Sequence, residues 1–218
     1  MKTALIAGAS GLTGSYLLRM LLDSGRYDRV KALVRRPLGM NIDYPALQEV
    51  VYDFDHPDPK ELRAHHIYCC LGTTMKKAGS REVFRRVDHD YPLELARMAR
   101  QQGAERFALV SAAGANSRSM FFYNRVKGQL EEDLQKIPFE ALLFMRPSLL
   151  LGPRKEKRTG EDLAKTLMKP LRFVIPPHIR PVHASQVAGG MLDLMEQKEQ
   201  GTHFISSRLL QKYPITGR

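Results

Sequence analysis

The feature that most constrains this chain is a glycine-rich segment close to its start. Thr3-Ala4-Leu5-Ile6-Ala7 is a short apolar run typical of a buried strand, and Gly8-Ala9-Ser10-Gly11-Leu12-Thr13-Gly14 follows it at once. Leucines then recur at helical spacing as far as Gly25. The order of strand, glycine turn and helix is that of the first unit of a dinucleotide-binding fold.

Each glycine of this segment has a separate physical task. Gly8 allows a tight exit from the strand, Gly11 lets a pyrophosphate approach the backbone, and Gly14 lets the helix pack closely on the strand. The free N–H groups at the start of the helix attract phosphates. A plain turn is the alternative, because glycine is common in turns, but the position directly after a strand favours nucleotide binding. The predicted cofactor-binding loop comprises Gly8, Ser10, Gly11, Leu12, Thr13 and Gly14.

Apolar runs and helical patterns alternate along the rest of the chain. The predicted strands are 3–7, 30–34, 50–54, 67–71, 107–111 and 141–145, with an edge strand at 202–205. The predicted helices are 80–102, which Pro92 interrupts, 119–136 and 184–197. We expect Asp88 or Asp90 to cap the helix that contains Pro92.

This alternation predicts parallel strands joined by right-handed crossovers. The predicted fold class is therefore α/β, a doubly wound parallel sheet (Rossmann fold) with a small C-terminal substrate lobe. A length of 218 residues and a hydrophobic content of 43% suit a single domain over 1–218. Within it, we expect 153–181 to form a small substrate-side lobe or lid.

The end of the second predicted strand indicates which dinucleotide is bound. The strand runs into Arg35-Arg36-Pro37, and Arg35 lies 21 residues after Gly14. An acidic residue at this place would bind the ribose hydroxyls of NAD, whereas an arginine suits the 2′-phosphate of NADP. A charged strand end is the plain alternative. We predict NADP rather than NAD, with Arg35 and Arg36 as ligands.

Two further strand ends are expected to touch the cofactor. Asp53 follows the third strand, where it would accept a hydrogen bond from the adenine amino group. It is equally suited to forming a turn, because further Asp and Pro residues follow. Leu71, Gly72 and Thr73 make a second glycine-containing strand exit, which would flank the cofactor.

Three residues form a candidate catalytic set. Ser111 ends the fifth predicted strand, and ligands bind outside the carboxyl ends of such strands. Tyr123 and Lys127 are four apart and therefore share one face of the next helix. An ammonium beside a phenol lowers the pKa of the phenol, so Tyr123 can exchange a proton near neutral pH while Ser111 holds the substrate oxygen. Lys127 can also bind the nicotinamide ribose. Tyr-x-x-x-Lys is common by chance, but its conjunction with the glycine loop favours carbonyl reduction.

These segments resemble the short-chain dehydrogenase/reductase superfamily. The resemblance is carried by the glycine loop, by Val110-Ser111-Ala112-Ala113-Gly114-Ala115 and by Tyr123-Asn124-Arg125-Val126-Lys127-Gly128. The Gly-x-x-Gly-x-x-Gly spacing is that of the extended and atypical branches. The short chain and Val87-Asp88-His89-Asp90-Tyr91 are most similar to the atypical group of Tat-interacting-protein-like oxidoreductases.

The resemblance implies an NADP-binding Rossmann fold with Ser111, Tyr123 and Lys127 as catalytic residues. It also implies that Arg146 and Pro147 lie beside the cofactor, because Arg146-Pro147-Ser148 is similar to a later landmark of these branches. Many active members carry an Asn that completes a proton relay, and the corresponding stretch 87–90 contains none. The chain is therefore predicted to be an NADP-dependent oxidoreductase acting on a small carbonyl or hydroxyl compound. The alternative is a non-catalytic NADP(H)-binding regulatory or sensor protein that acts through a protein partner.

Composition and charge limit the classes of binding partner that we expect for this chain. The net charge is +11 with a pI near 9.8, but the basic residues form short groups such as Lys76-Lys77 without interleaved aromatic residues. We expect these groups to be solvated surface, and we expect no nucleic acid partner. The sequence contains no run of eighteen apolar residues, so we expect no membrane span. The histidines are dispersed, so we expect no metal site. Cys69-Cys70 lies in an apolar run and is read as a reduced pair in the core of a cytoplasmic protein. The sequence predicts a small-molecule substrate and leaves open a protein partner or a homodimer.

Overall fold

A computed structural model describes residues 1–39, 44–153, 180–197 and 200–217. The strands of the main sheet are β1 Thr3–Ala7, β2 Arg29–Val34, β3 Leu47–Val51, β4 His66–Cys69, β5 Arg106–Val110, β6 Ala141–Arg146 and β9 Gly201–Ser206. They form one parallel sheet in the order β3-β2-β1-β4-β5-β6-β9. Two short strands, β7 Leu150–Leu151 and β8 Val182–His183, pair separately. The predicted doubly wound Rossmann fold is confirmed.

Helices cover both faces of the sheet. They are α1 Leu12–Asp23, α2 Met75–Ala78, α3 Arg81–Arg85, α4 Tyr91–Gln101, α5 Phe122–Leu134, α6 Ala184–Glu196 and α7 Ser207–Leu210. A π-helical turn, Arg86–Asp90, joins α3 to α4, and a 3₁₀ turn covers Pro59–Leu62.

Alternate residues of β1 enter two separate cores. Ala4 and Ile6 lie in the core beneath α1 and α6, whereas Leu5 and Ala7 lie in the core beneath α4 and α5. All four are fully buried. A strand covered on both sides needs apolar residues at successive positions, which explains the apolar run that predicted it. The first strand is thus central to the fold, and the glycine loop leaves the sheet between β2 and β4.

The third strand lies three residues earlier than predicted. It spans Leu47–Val51 rather than 50–54, because it pairs with β2 up to the match of Val34 with Val51. As an edge strand it exposes much of its surface, so its polar residues Gln48 and Glu49 are compatible with pairing. The apolar pattern used for the prediction suits central strands and fails at such an edge.

Asp90 occupies the N-cap position of the helix containing Pro92, as predicted, but neither Asp90 nor Asp88 caps the helix through its side chain. The chain remains helical from α3 through the π-helical turn into α4, so few backbone N–H groups are left for a cap to satisfy. The Asp90 side chain makes no capping hydrogen bond, and Asp88 is 1% exposed inside the protein.

The predicted substrate lobe falls almost entirely outside the described part of the chain. Of residues 153–181, the structure describes Pro153, Arg180 and Pro181. Within the described ranges, every helix is too short or too polar to reach across a bilayer. Cys69 and Cys70 are both free thiols, and burial raises the pKa of Cys69 to about 12.

A polar cluster joins the end of α6 to the amino end of the sheet. The Tyr27 hydroxyl lies 2.7 Å from a Glu196 carboxylate oxygen, 2.7 Å from the Tyr68 hydroxyl and 2.8 Å from His66 Nδ1. Because the carboxylate only accepts, Tyr27 donates its single proton to Glu196, and Tyr68 and His66 donate to Tyr27. His66 is therefore protonated on Nδ1. Burial, followed by the charge of Lys2, lowers the pKa of the imidazole to about 4.

We predict that this cluster makes the protein sensitive to mild acid. The unfolded chain binds a proton on His66 below pH 6.5, whereas the folded chain does so only near pH 4. Stability is therefore lost as the pH falls from about 6.5 to about 4, and His66 accounts for about 3 kcal/mol of that loss. Urea unfolding at a series of pH values measures it. In His66→Asn, which keeps an N–H donor and does not titrate, the decline should be smaller by that amount. Identical slopes in the two proteins would show that His66 is not responsible.

Candidate functional site

The glycine loop is closed by contacts between backbone atoms. Gly8 has a φ of +86°, and a Cβ there would lie 2.6 Å from the Cys70 carbonyl oxygen just after β4. A Cβ on Gly14 would lie 2.1 Å from the Gly8 carbonyl oxygen. Both distances exclude any side chain, because the obstructing atoms belong to the main chain. The loop can therefore be built only with glycine at these two positions.

The start of α1 is open to an anion. Gly11 occupies the N-cap position, and neither a side-chain cap nor an acidic residue covers the first turn. The Gly11 N–H donates to the Gly8 carbonyl oxygen at 3.0 Å, which holds the loop in place. The N–H groups that follow and the positive end of the helix dipole suit a phosphate group. This cradle fits the pyrophosphate of a dinucleotide.

One cleft collects residues from the loops after β1, β2 and β4. The predicted cofactor ligands that line it are Ser10, Gly11, Leu12, Arg35, Arg36, Gly72 and Thr73. Lys76 and Lys77 of α2 line it as well, although the sequence pattern assigned them to solvated surface. Parallel strands bring their carboxyl ends to one edge, and this is what gathers residues so far apart in sequence.

The other predicted cofactor residues lie outside the lining of this cleft. Thr13 and Gly14 are buried in the first turn of α1, Gly8 and Leu71 are half-buried, and Pro147 is buried after β6. The Asp53 carboxylate accepts from the Asp55 N–H at 2.9 Å and lies 3.0 Å from His56 Nδ1. The hydrogen bond to His56 lowers the pKa of Asp53. Asp53 thus has the turn-forming contacts that the sequence offered as the alternative to adenine binding.

Lys127 is held by a buried ion pair. Its Nζ lies 2.9 Å from Asp88 Oδ1, and the two side chains are 3% and 1% exposed. The other Asp88 oxygen accepts from the Thr73 N–H at 2.7 Å. Burial alone would lower the pKa of Lys127, but the charge of Asp88, with a smaller effect of Tyr123, raises it overall. Lys127 therefore remains a cation inside the protein.

Tyr123 lies one turn before Lys127 on α5. The side chain is 41% exposed, and its ring contacts Phe84 with centroids 5.8 Å apart. Its electrostatic interaction with Lys127 contributes, after that of Asp88, to the raised pKa of Lys127. The spacing of four residues thus places a phenol at the surface beside an ammonium that is buried.

Ser111 follows β5 and is hydrogen-bonded to a second buried charge. Its Oγ donates to Glu131 Oε1 at 2.5 Å, and Arg146 binds the same carboxylate through Nε at 3.0 Å and Nη2 at 2.5 Å. The Arg146 guanidinium also lies 4.2 Å from the centroid of the Phe204 ring. Arg146 thus lies on the Ser111 side of the site. Because a carboxylate accepts only, the Ser111 proton is directed to Glu131 and its lone pairs remain available.

Sequence reasoning missed Asp88 and Glu131 as members of this site. Glu131 carried a readable signal, because it continues the spacing of Tyr123 and Lys127 by another four residues on the same helix face. The residues around Asp88 in the sequence gave no such signal, because its partner Lys127 lies 39 positions later on a different helix.

A model of the family described as NAD(P)H-binding matches residues 8–137. The chain belongs to the NAD(P)H-binding family. This NAD(P)H-binding chain is 39% identical over 168 residues to protein HTATIP2 of Rattus norvegicus, covering 75% of the chain and 69% of the relative. The resemblance to Tat-interacting-protein-like proteins predicted from the sequence is thereby confirmed.

Fungal relatives correct one prediction. Protein FMP52, mitochondrial, of Candida glabrata is 37% identical over 169 residues, which cover 74% of the chain and 70% of the relative. The protein of the same name from Saccharomyces cerevisiae is 33% identical over 173 residues, with 75% and 73% covered. These names contradict the predicted cytoplasmic location. That prediction rested on reduced cysteines, and a thiol as fully buried as Cys69 carries no information about the compartment.

Solved structures of similar fold include nucleotide-sugar proteins. MoeE5 in complex with UDP-glucose and NAD aligns with a TM-score of 0.73 at 18% identity, covering 95% of this chain and 79% of that one. The UDP-glucose 4-epimerase of Thermus thermophilus in complex with NAD aligns with a TM-score of 0.68 at 15% identity, covering 96% and 81%. At these identities the likeness shows the Rossmann fold.

We predict that Asp88→Asn lowers the free energy of unfolding by about 3 kcal/mol or more, because it leaves the Lys127 ammonium buried without a counter-charge. Adding Lys127→Met to this variant should restore at least half of the loss. Urea unfolding measures both. Asp193→Asn is the matched control, since it removes one partner of an exposed pair with Arg26 and should cost less than about 1 kcal/mol. A loss in Asp88→Asn no larger than the control would contradict the role of the pair.

Proposed function

We propose that this chain is an NADP-dependent oxidoreductase of the atypical short-chain dehydrogenase/reductase type. It transfers a hydride to or from a small carbonyl or hydroxyl substrate. The observation that carries the proposal is the position of the Lys127 ammonium. It lies 4.0 Å from where a Cβ on the cleft residue Gly72 would be, and one helical turn from Tyr123. A buried cation thus adjoins both the cofactor cleft and an exposed phenol.

The proposed chemistry divides the work among three side chains. When bound, the reduced cofactor supplies the hydride that adds to the carbonyl carbon. Tyr123 donates its phenolic proton to the carbonyl oxygen, and the charge of Lys127 stabilises the phenolate that remains. In the reverse direction the phenolate accepts the proton of the alcohol. Lys127 is suited to this role because its pKa is raised rather than lowered in the folded chain.

Ser111 can hold only one form of the substrate oxygen. Its proton is donated to Glu131, so its lone pairs accept a hydrogen bond from a hydroxyl but cannot satisfy a carbonyl. The alcohol form therefore has Ser111 as an acceptor, whereas the carbonyl form depends on the proton of Tyr123. This arrangement makes Tyr123 the indispensable donor in the proposed reaction.

We predict that Arg35 selects NADP over NAD. Arg35 and Arg36 are exposed, directly follow β2 and line the cofactor cleft. Arg35→Ala should weaken NADPH binding by about tenfold or more, the expected loss for a charge-assisted hydrogen bond, and leave NADH binding unchanged. Fluorescence titration with both cofactors measures this. Arg63→Ala, at an exposed arginine near the amino end of β4, is the control. Equal weakening of NADH and NADPH would remove the specificity role of Arg35.

We predict that Tyr123→Phe lowers kcat/KM by at least about 100-fold, the usual contribution of general acid catalysis. The phenyl ring keeps the contact with Phe84, so NADPH affinity should stay within about twofold of the wild type. Rates with a panel of aldehydes, ketones and alcohols measure the effect. The matched control is Tyr91→Phe, whose hydroxyl binds Asp55 at 2.6 Å outside the cleft lining. Unchanged turnover in Tyr123→Phe would refute the proposed mechanism.

The second candidate is an NADP(H)-binding regulatory protein without turnover. The observation in its favour is the hydrogen bond between Ser111 and Glu131, which occupies the proton that a carbonyl substrate would need. The same titration and panel separate the two functions. Tight NADPH binding together with an absence of turnover across the panel supports the regulator, whereas turnover that depends on Tyr123 supports the enzyme.

A further inference from the structure

The cofactor cleft has a second basic wall opposite Arg35 and Arg36. Lys76 and Lys77 of α2 line the same cleft but follow β4 rather than β2. Since β1 lies between β2 and β4 in the sheet, the glycine loop has cationic side chains on both sides. No local sequence pattern indicates this arrangement, because the two basic pairs are about forty residues apart.

The order of the strands indicates which part of a dinucleotide each wall meets. The pyrophosphate of a dinucleotide lies over the glycine loop at the start of α1, and its adenosine ribose lies at the end of β2. The nicotinamide half then extends towards β4 and β5, where Ser111, Tyr123 and Lys127 are found. Lys76 and Lys77 therefore lie on the side away from the 2′-phosphate.

We infer that Lys76 and Lys77 form an anion-binding subsite for the pyrophosphate of the dinucleotide, on the side of the cleft opposite Arg35 and Arg36. The inference rests on the cofactor binding that the proposed function includes and does not depend on turnover. It assigns the two basic walls different ligands: the arginines select the 2′-phosphate, and the lysines strengthen the binding of either dinucleotide.

The segment that carries the lysines is fixed at several points. The Thr73 N–H donates to the buried Asp88 carboxylate at 2.7 Å, and the Thr74 hydroxyl oxygen accepts from the Lys77 N–H at 3.2 Å. The helix then ends at Gly79, whose φ is +75° and whose N–H donates to the Met75 carbonyl oxygen at 3.0 Å. The bond to Asp88 anchors the segment to the protein interior and the other two bonds maintain the short helix, so an anion would meet lysines that are carried by an ordered backbone.

The charges around the cleft favour an anion with more than one phosphate. Its lining contains the basic residues Arg19, Arg26, Arg35, Arg36, Lys76 and Lys77 and the acidic residue Asp23. Arg26 is paired with Asp193 at 3.1 Å. The remaining excess of positive charge raises the local concentration of a polyanionic ligand and strengthens its binding. NADPH and NADH share the pyrophosphate, so the lysine contribution should be common to both.

The test is a titration of the full chain with NADPH, NADH and ADP-ribose in low and high salt. The variants are Lys76→Ala, Lys77→Ala and the double variant, with Lys76→Arg and Lys77→Arg as charge-preserving partners. Each alanine substitution should weaken the binding of all three ligands by about threefold to tenfold, which is the effect expected from the loss of one partly solvated charge. The arginine variants should bind within about twofold of the wild type, and high salt should reduce the differences. Lys60→Ala, at an exposed lysine on the 3₁₀ turn, controls for the loss of net charge.

Two outcomes would overturn the inference. Weakening confined to NADPH would place the lysines at the 2′-phosphate instead, and losses no larger than those of Lys60→Ala would make them ordinary surface residues. Neither outcome affects the proposed oxidoreductase activity, because that activity is judged by turnover and by Tyr123→Phe. Conversely, a chain that binds all three ligands through the lysines but turns over no substrate would retain this inference and lose the enzyme.

Discussion

The whole site depends on how closely main-chain atoms approach each other at the exit from β1. Gly8 meets the carbonyl oxygen of Cys70 and Gly14 meets the carbonyl oxygen of Gly8, each at a distance that no Cβ could share. This approach brings the start of α1 to the middle of the sheet. The loops after β2 and β4 then lie on either side of it, and the groups suited to binding phosphate come together at the carboxyl edge. Larger residues at these two positions would push the loops apart, and the cleft between them would be lost.

Around this backbone frame, two ion pairs position the side chains that we propose as catalytic. One pair is fully buried, and in the other Glu131 is buried while Arg146 is 31% exposed. Asp88 holds Lys127 on one side of the site, and Arg146 with Glu131 holds Ser111 on the other. Buried pairs of this kind contribute little net stability, since desolvating the charges offsets much of their attraction. Their value here lies in fixing direction. An ammonium and a hydroxyl that are each bonded to a carboxylate present defined faces to whatever enters between them.

How well the sequence predicts this molecule depends on how local the determining contacts are. The first strand, the glycine loop and α1 follow from consecutive residues and were predicted nearly to the residue. The third strand was displaced because an edge position tolerates Gln48 and Glu49, which the apolar pattern does not anticipate. The sequence did not predict the places of three sets of charged residues in the site, and the reason is different. These are Asp88, Glu131 and the lysines of α2. Whether a charged residue is buried against a partner or lines a cleft is decided by strand order and helix packing, and a single sequence does not display these.

The Asp88 carboxylate has two bonds that reach different parts of the site. One oxygen accepts from the Thr73 backbone in the cofactor cleft, and the other binds the Lys127 ammonium. A shift of the cleft loop would therefore stretch the bond to Thr73 unless Asp88 moved with it, and a movement of Asp88 would disturb its bond to Lys127. A ligand that favours one position of the loop would then also bias the position of the lysine, and a ligand that fixes the lysine would bias the loop in return, since such coupling is reciprocal. An enzyme would use this link to align the lysine only when the cofactor is present. A regulator would use it to report occupancy of the cleft at the surface around Tyr123, so either function could have been built on the same carboxylate.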